Sequence, residues 1–155
     1  VPGTGGTIGL DLEVIIEMWK QVLGVEVEIQ QVEWATYLHD LNRNKFQAFA
    51  GLGWEADYPD PQDFLDILFH TESRMNHGGY SNPDVDTILE RARVETDMEK
   101  RINSYREVEE LIVNDAAWVP LWYGGDRYVL IKPHVKNYKI TPMVIPKLRE
   151  IYLED

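Results

Sequence analysis

The sequence predicts an α/β sandwich: a mixed sheet flanked by helices, with at least one crossover connection. Two observations carry this expectation. Apolar residues recur first at helical and then at alternating spacing, giving the order helix, strand, helix, strand over the first third of the chain. In addition, the second strand is apolar or small on both faces, as a strand covered on both sides must be.

Residues 1–9 are rich in Gly and Thr and read as a loop. From Gly9 to Leu23 the positions Leu12, Ile15, Ile16, Trp19, Val22 and Leu23 fall at helical spacing, and Gly24 suits the left-handed position past a helix end. Val25, Val27 and Ile29 alternate with Glu26, Glu28 and Gln30, the pattern of a half-exposed strand. A short helix follows from Trp34 to about Asn42. In the next strand Phe46, Ala48, Ala50, Leu52 and Trp54 lie on one face and Phe49, Gly51 and Gly53 on the other. Asp60 is placed to cap a helix from Pro61 to about Phe69, with Asp63 in its first turn. Residues 70–80 form a polar loop. Asn82-Pro83 repeats the cap-then-proline start, and Val85, Ile88, Leu89 and Ala92 give that helix an apolar stripe. Thr96 and Glu99 form a capping box that opens a long helix, with Ile102, Tyr105, Val108, Leu111 and Ile112 facing inward. Strands are expected at Trp118–Tyr123 and Arg127–Ile131, joined by a hairpin at Gly124-Gly125-Asp126. The tail from Lys132 ends in an edge strand at Arg149–Leu153.

A chain of 155 residues is long enough to form one domain with a sizeable core, and 11% aromatic content argues against disorder. Acidic residues outnumber basic ones 27 to 15, a formal net charge of −12, which makes nucleic acid and anionic lipid surfaces poor partners. With no cysteine, disulfides, zinc-thiolate sites and thiol nucleophiles are excluded. The chain opens Val1-Pro2-Gly3 without Met or a signal peptide, so a processed product or an excised piece of a longer protein is expected.

No enzyme signature stands out: Gly-x-Ser-x-Gly, a Walker loop and His-Glu-x-x-His are all absent. The four histidines are scattered, and His70 and His77 read as solvated loop residues rather than metal ligands. The corner from Gly53 to Leu65 is different. Caps account for Asp60 and Asp63, but not for Asp57. The residue after it, Tyr58, is extended because Pro59 follows, so Asp57 is not a helix-surface charge. Two roles are open to its carboxylate. One is a side-chain-to-backbone turn bond. The other is presentation at a pocket wall, where pairing with an ammonium contributes roughly 1.5–3 kcal/mol when shielded from water. In a parallel sheet, Trp34 and Trp54 would sit near the carboxyl ends of neighbouring strands, where open α/β sheets place ligands. Core packing is the alternative for each, and it is the role assigned to Trp19, Trp118 and Trp122.

Five stretches in sequence order support a family resemblance. They are Trp19-Lys20-Gln21-Val22-Leu23-Gly24-Val25, Glu33-Trp34-Ala35-Thr36-Tyr37-Leu38, Gly53-Trp54-Glu55-Ala56-Asp57-Tyr58-Pro59-Asp60-Pro61, Tyr80-Ser81-Asn82-Pro83-Asp84-Val85-Asp86 and Ala117-Trp118-Val119-Pro120-Leu121-Trp122-Tyr123. Through most of its length the chain resembles the C-terminal part of the oligopeptide- and dipeptide-binding proteins of bacterial ABC importers, solute-binding protein family 5. The resemblance implies a periplasmic-binding-protein-like clamshell that closes on its ligand. Residues 1–131 would be the C-terminal ligand-binding lobe, and 132–155 a tail returning to an N-terminal lobe that this sequence lacks. It implies a binding protein and not an enzyme, without cofactor or metal, located in the periplasm or outside the cell and lipid-anchored in some full-length forms. Its partners would be a peptide and a membrane permease. Other members of the fold take oligosaccharides or nickel, and such a receptor is the alternative. By the same resemblance Asp57 holds the α-ammonium of the peptide, and Trp54 and Trp34 line the cleft. The sequence also departs from the family pattern. Leu41 and Gly51 stand near places where oligopeptide binders carry arginines for peptide carboxylates, and Gly124 corresponds to a cleft tyrosine.

Overall fold

A computed structural model describes residues 1–3, 9–121, 128–141 and 147–154. The chain divides into two compact units, Val1–Leu52 and Gly53–Asp155.

In the first unit, helix α1 spans Leu10–Leu23 and helix α2 spans Trp34–Leu41. Helix α1 ends as its sequence predicts: Gly24 takes φ 65°, a left-handed conformation that costs a glycine no Cβ clash, and its N–H closes on the Lys20 carbonyl. Helix α2 is capped by Glu33, whose side chain accepts from the Thr36 N–H at 3.1 Å. Tyr37 and Leu41 are its buried residues. The Tyr37 ring stacks between Trp34 and Phe46, with centroids 6.0 and 5.3 Å away, and its hydroxyl donates to the Ala50 carbonyl at 3.1 Å. A parallel bridge joins Pro2 to Val32.

Two expectations fail in this unit. Residues 25–29 and 46–54 form no strand, the second stretch running on into the next unit. No residue of α1 is buried, and Trp19, assigned to the core, is 38% exposed. The physical reason is the same for both. A strand needs a neighbour for its N–H and C=O groups, and an amphipathic stripe needs a surface to cover it. Among the described residues of this unit the buried hydrophobics are Tyr37 and Leu41, too few to cover a four-turn helix.

In the second unit, three helices surround the larger core. They are α3, Gln62–Phe69, α4, Pro83–Val94, and α5, Met98–Asn114. Leu68 and Phe69 of α3, Val85, Ile88, Leu89 and Ala92 of α4, and Tyr105, Val108 and Ile112 of α5 form one buried cluster. The stripe predicted for α4 is buried at every position, and Asn82 caps it by accepting from the Asp84 and Val85 N–H groups. The cap of α5 is displaced by one residue from Thr96. Asp97 accepts from the Glu99 and Lys100 N–H groups and, being as strong a cap as Thr, takes the role. Three of its five predicted inward positions are buried, while Ile102 and Leu111 are half-buried.

Strands β1 (Val135–Lys136) and β2 (Tyr152–Leu153) pair antiparallel, Val135 opposite Leu153 and Lys136 opposite Tyr152. The C-terminal part of the predicted edge strand is therefore present. Neither 118–121 nor 128–131 forms a strand, and the predicted turn at 124–126 lies outside the described residues.

Candidate functional site: a braced corner before α3

The corner between Gly53 and α3 is built from short-range bonds around two carboxylates. The Asp60 side chain accepts from the Gln62 N–H at 2.9 Å, so it caps the turn entering α3 although the regular helix starts only at Gln62. The same carboxylate is gripped by the Arg101 guanidinium of α5 in a two-point contact, one arm at 2.9 Å to Oδ1 and the other to Oδ2. That fork holds the Asp60 carboxyl below the ordinary carboxylate range. Arg101 also donates to the Ala92 carbonyl at 3.0 Å and lies 5.0 Å from the centre of the Tyr105 ring. The entry to α3 is thus tied to α4 and α5.

Asp63 has a role its position in the helix did not reveal. Its side chain is fully buried, and Oδ2 accepts from the Asp57 N–H at 2.8 Å. Sequence reasoning assigned it to the first turn of the helix. In the structure it reaches back six residues and fixes the backbone that carries Asp57. Tyr58 donates to Gln62 Oε1 at 2.7 Å, and partial burial, followed by the surrounding carboxylates, raises its phenol.

Trp54 and Asp57 both stand on this corner and have different surroundings. Trp54 is half-buried and packs against the α3–α4–α5 core; its indole N–H is buried with no hydrogen-bond partner among the described residues. Asp57 is exposed, and among the described residues nothing hydrogen-bonds to or pairs with its carboxylate. The turn bond open to it from the sequence is absent; its N–H, not its carboxylate, is engaged. Trp34 belongs to the first unit, where it opens α2, is 51% exposed and stacks on Tyr37.

Some of the contacts supporting the corner and its core had no sequence signal. Asp60 and Arg101 are 41 residues apart, and Asp66 and Arg93 are 27 apart. Asp66 is 5% exposed and receives Nε and Nη2 of Arg93 at 2.6 and 2.7 Å. His70 corrects an expectation. It is 6% exposed rather than solvated, with Nδ1 accepting from the Glu72 N–H at 3.2 Å and Nε2 3.4 Å from Glu90 Oε1. Asn76 closes loop 70–80 on itself by donating to the carbonyls of His70 and Tyr80, and Tyr80 packs edge-on against Phe69 of the core.

Residues 10–76 match the bacterial extracellular solute-binding proteins, family 5 Middle. This chain is a relative of the family 5 solute-binding proteins. The periplasmic murein peptide-binding protein MppA of Escherichia coli is 33% identical over 141 residues, which are 90% of this chain and 26% of that protein. The oligopeptide-binding protein OppA of Bacillus subtilis is 27% identical over 92% of this chain and 25% of its own length. Among solved structures, the periplasmic binding protein DppA of Helicobacter pylori in complex with peptide STSA superposes with a TM-score of 0.77 at 29% identity. That superposition covers 95% of this chain and 29% of the other. The likeness places the family 5 relative in the α/β, periplasmic-binding-protein-like fold class expected from the sequence. The chain spans about a quarter of the length of the curated relatives it matches.

Proposed function

We propose that this chain is the C-terminal ligand-binding part of the substrate-binding component of an ABC importer, a receptor that captures peptides for uptake. In this reading it is a binding module and not an enzyme. It works in the periplasm or at the outer face of the cell membrane, lipid-anchored in some forms, and delivers its ligand to a membrane permease. Residues 1–131 supply the ligand-binding lobe, and 132–155 return to an N-terminal lobe elsewhere in the same polypeptide. Closure of the two lobes buries the ligand, and its side chains are held in roomy, wet pockets.

One observation carries the reading. The family's Gly-Trp-x-x-Asp motif places Asp57 on a braced corner, with its carboxylate exposed and unengaged among the described residues. Such a group is available to the α-ammonium of a peptide. Trp54 and Trp34 supply apolar surface beside the peptide backbone. Nucleic acid is not a partner, because a net charge of −12 repels phosphate.

The test is Asp57→Asn in the full-length receptor, titrated with a random tetrapeptide pool and with the same pool N-acetylated. Losing a shielded charge-assisted bond of about 1.5–3 kcal/mol weakens the free-amino pool roughly 10- to 150-fold and leaves the acetylated pool nearly unchanged. Equal losses for both pools would remove Asp57 from the role. Tight binding of an oligosaccharide or of nickel, with no binding of either peptide pool, would replace the ligand class.

A further inference from the structure

We infer that Asp63 is a positioning residue for ligand recognition: it acts through the backbone of Asp57 to hold the Asp57 carboxylate in its binding direction. The inference rests on the peptide-receptor reading and adds a residue to it.

Three facts lead there. Asp63 is fully buried, a costly place for a carboxylate that lacks a strong partner. The hydrogen bond it forms goes to a single backbone donor, the Asp57 N–H at 2.8 Å, while Oδ1 is buried with no partner among the described residues. Among the described residues no guanidinium or ammonium pairs with it, in contrast to Asp60 and Asp66, which each hold an arginine. A helix of eight residues does not need a buried carboxylate in its first turn, since an exposed Asp or Glu serves its dipole as well. What Asp63 does, and an exposed residue could not, is reach from the rigid helix to the loop.

The consequence for Asp57 follows from geometry. Its side chain leaves a backbone whose N–H is fixed from inside the core, so the carboxylate is presented outward by an anchored peptide plane. Asp60, held by Arg101, fixes the same corner three residues on. A preorganised carboxylate loses less conformational freedom on meeting an ammonium, and this is where affinity is gained without a new contact.

The experiment uses the full-length receptor and the free and acetylated tetrapeptide pools. Asp63→Ala is expected to weaken the free-amino pool about tenfold and to change the acetylated pool less than twofold. Asp63→Asn keeps an oxygen of the same reach but no charge, and should restore most of the loss, which separates bracing from long-range attraction. Where Asp63→Ala does not fold, Asp63→Ser, whose hydroxyl is too short to span the gap, takes its place with the same expectation. On an Asp57→Asn background either variant should add nothing. Equal weakening of both pools, no rescue by Asn, or full additivity with Asp57→Asn each overturns the positioning role. If Asp57→Asn alone discriminates between the pools, that overturn concerns Asp63 and leaves the receptor reading standing. If it does not, the receptor reading fails, and the role of Asp63 with it.

Discussion

Arg101→Met tests whether the ion pair beneath the corner supports the fold. The substitution keeps the length of the side-chain stem and removes the guanidinium. Among the described residues the Asp60 carboxylate would then retain only its bond from the Gln62 N–H. The magnitude follows from burial. Exposed pairs contribute about 0–1 kcal/mol, and removing one partner of a fully buried pair costs about 3–5 kcal/mol. Here the side chains are 26% exposed for Asp60 and 14% for Arg101, between those limits. Loss of the Ala92 carbonyl contact and of the cation over the Tyr105 ring adds to the effect. The expected total is about 2–3 kcal/mol. In urea unfolding followed by far-ultraviolet dichroism, with a slope of roughly 2 kcal/mol per molar, the midpoint falls by about 1 M. The effect should depend on pH in one direction. The folded carboxyl of Asp60 lies below its ordinary value of 3.8, so the contribution of the pair is present above that value and is lost as pH falls through the folded one. Wild type and variant should therefore converge in acid. A difference below about 0.5 kcal/mol at neutral pH, or one that stays constant on acidification, would refute the supporting role of the pair.

Two further variants probe the packing of the second unit. Leu89→Ala opens a cavity at a fully buried position of α4 and should cost about 3 kcal/mol by the same urea assay. Asn82→Ala removes the cap of α4 and the bond from Asn82 Nδ2 to Asp115 at 2.9 Å, and should lower stability by about 1–2 kcal/mol. An Asn82→Asp replacement keeps the cap but sets a carboxylate against Asp115, so it should recover only part of that loss.

The elements that the sequence made legible are those whose signals are local. Gly24 stops α1 because only a residue without a Cβ takes φ 65° at no steric cost. Asn82-Pro83 starts α4 because the cap and the fixed φ of proline act within one turn. The α4 stripe is buried at every predicted position because α3 and α5 supply the surface that its period requires. The order of motifs likewise led to the family, and the Gly-Trp-x-x-Asp spacing pointed to Asp57. The strands were not legible in the same way. Alternation over 25–29 and apolarity over 46–54 state a preference for pairing, but pairing depends on a partner, and none is found among the described residues.

By itself, then, the sequence determined five helices and the glycine stop of the first, through interactions spanning a few residues, and it singled out Asp57 with two roles open to its carboxylate. Only the tertiary structure decided what holds that carboxylate in place. Asp63 turns from its helix to the Asp57 N–H, and Arg101 arrives from 41 residues away to grip Asp60. No periodicity or spacing encodes either contact. The second exists because α3, α4 and α5 pack around one core and bring a guanidinium and a carboxylate distant in the chain into a partly buried place where their attraction is less screened than at an open surface.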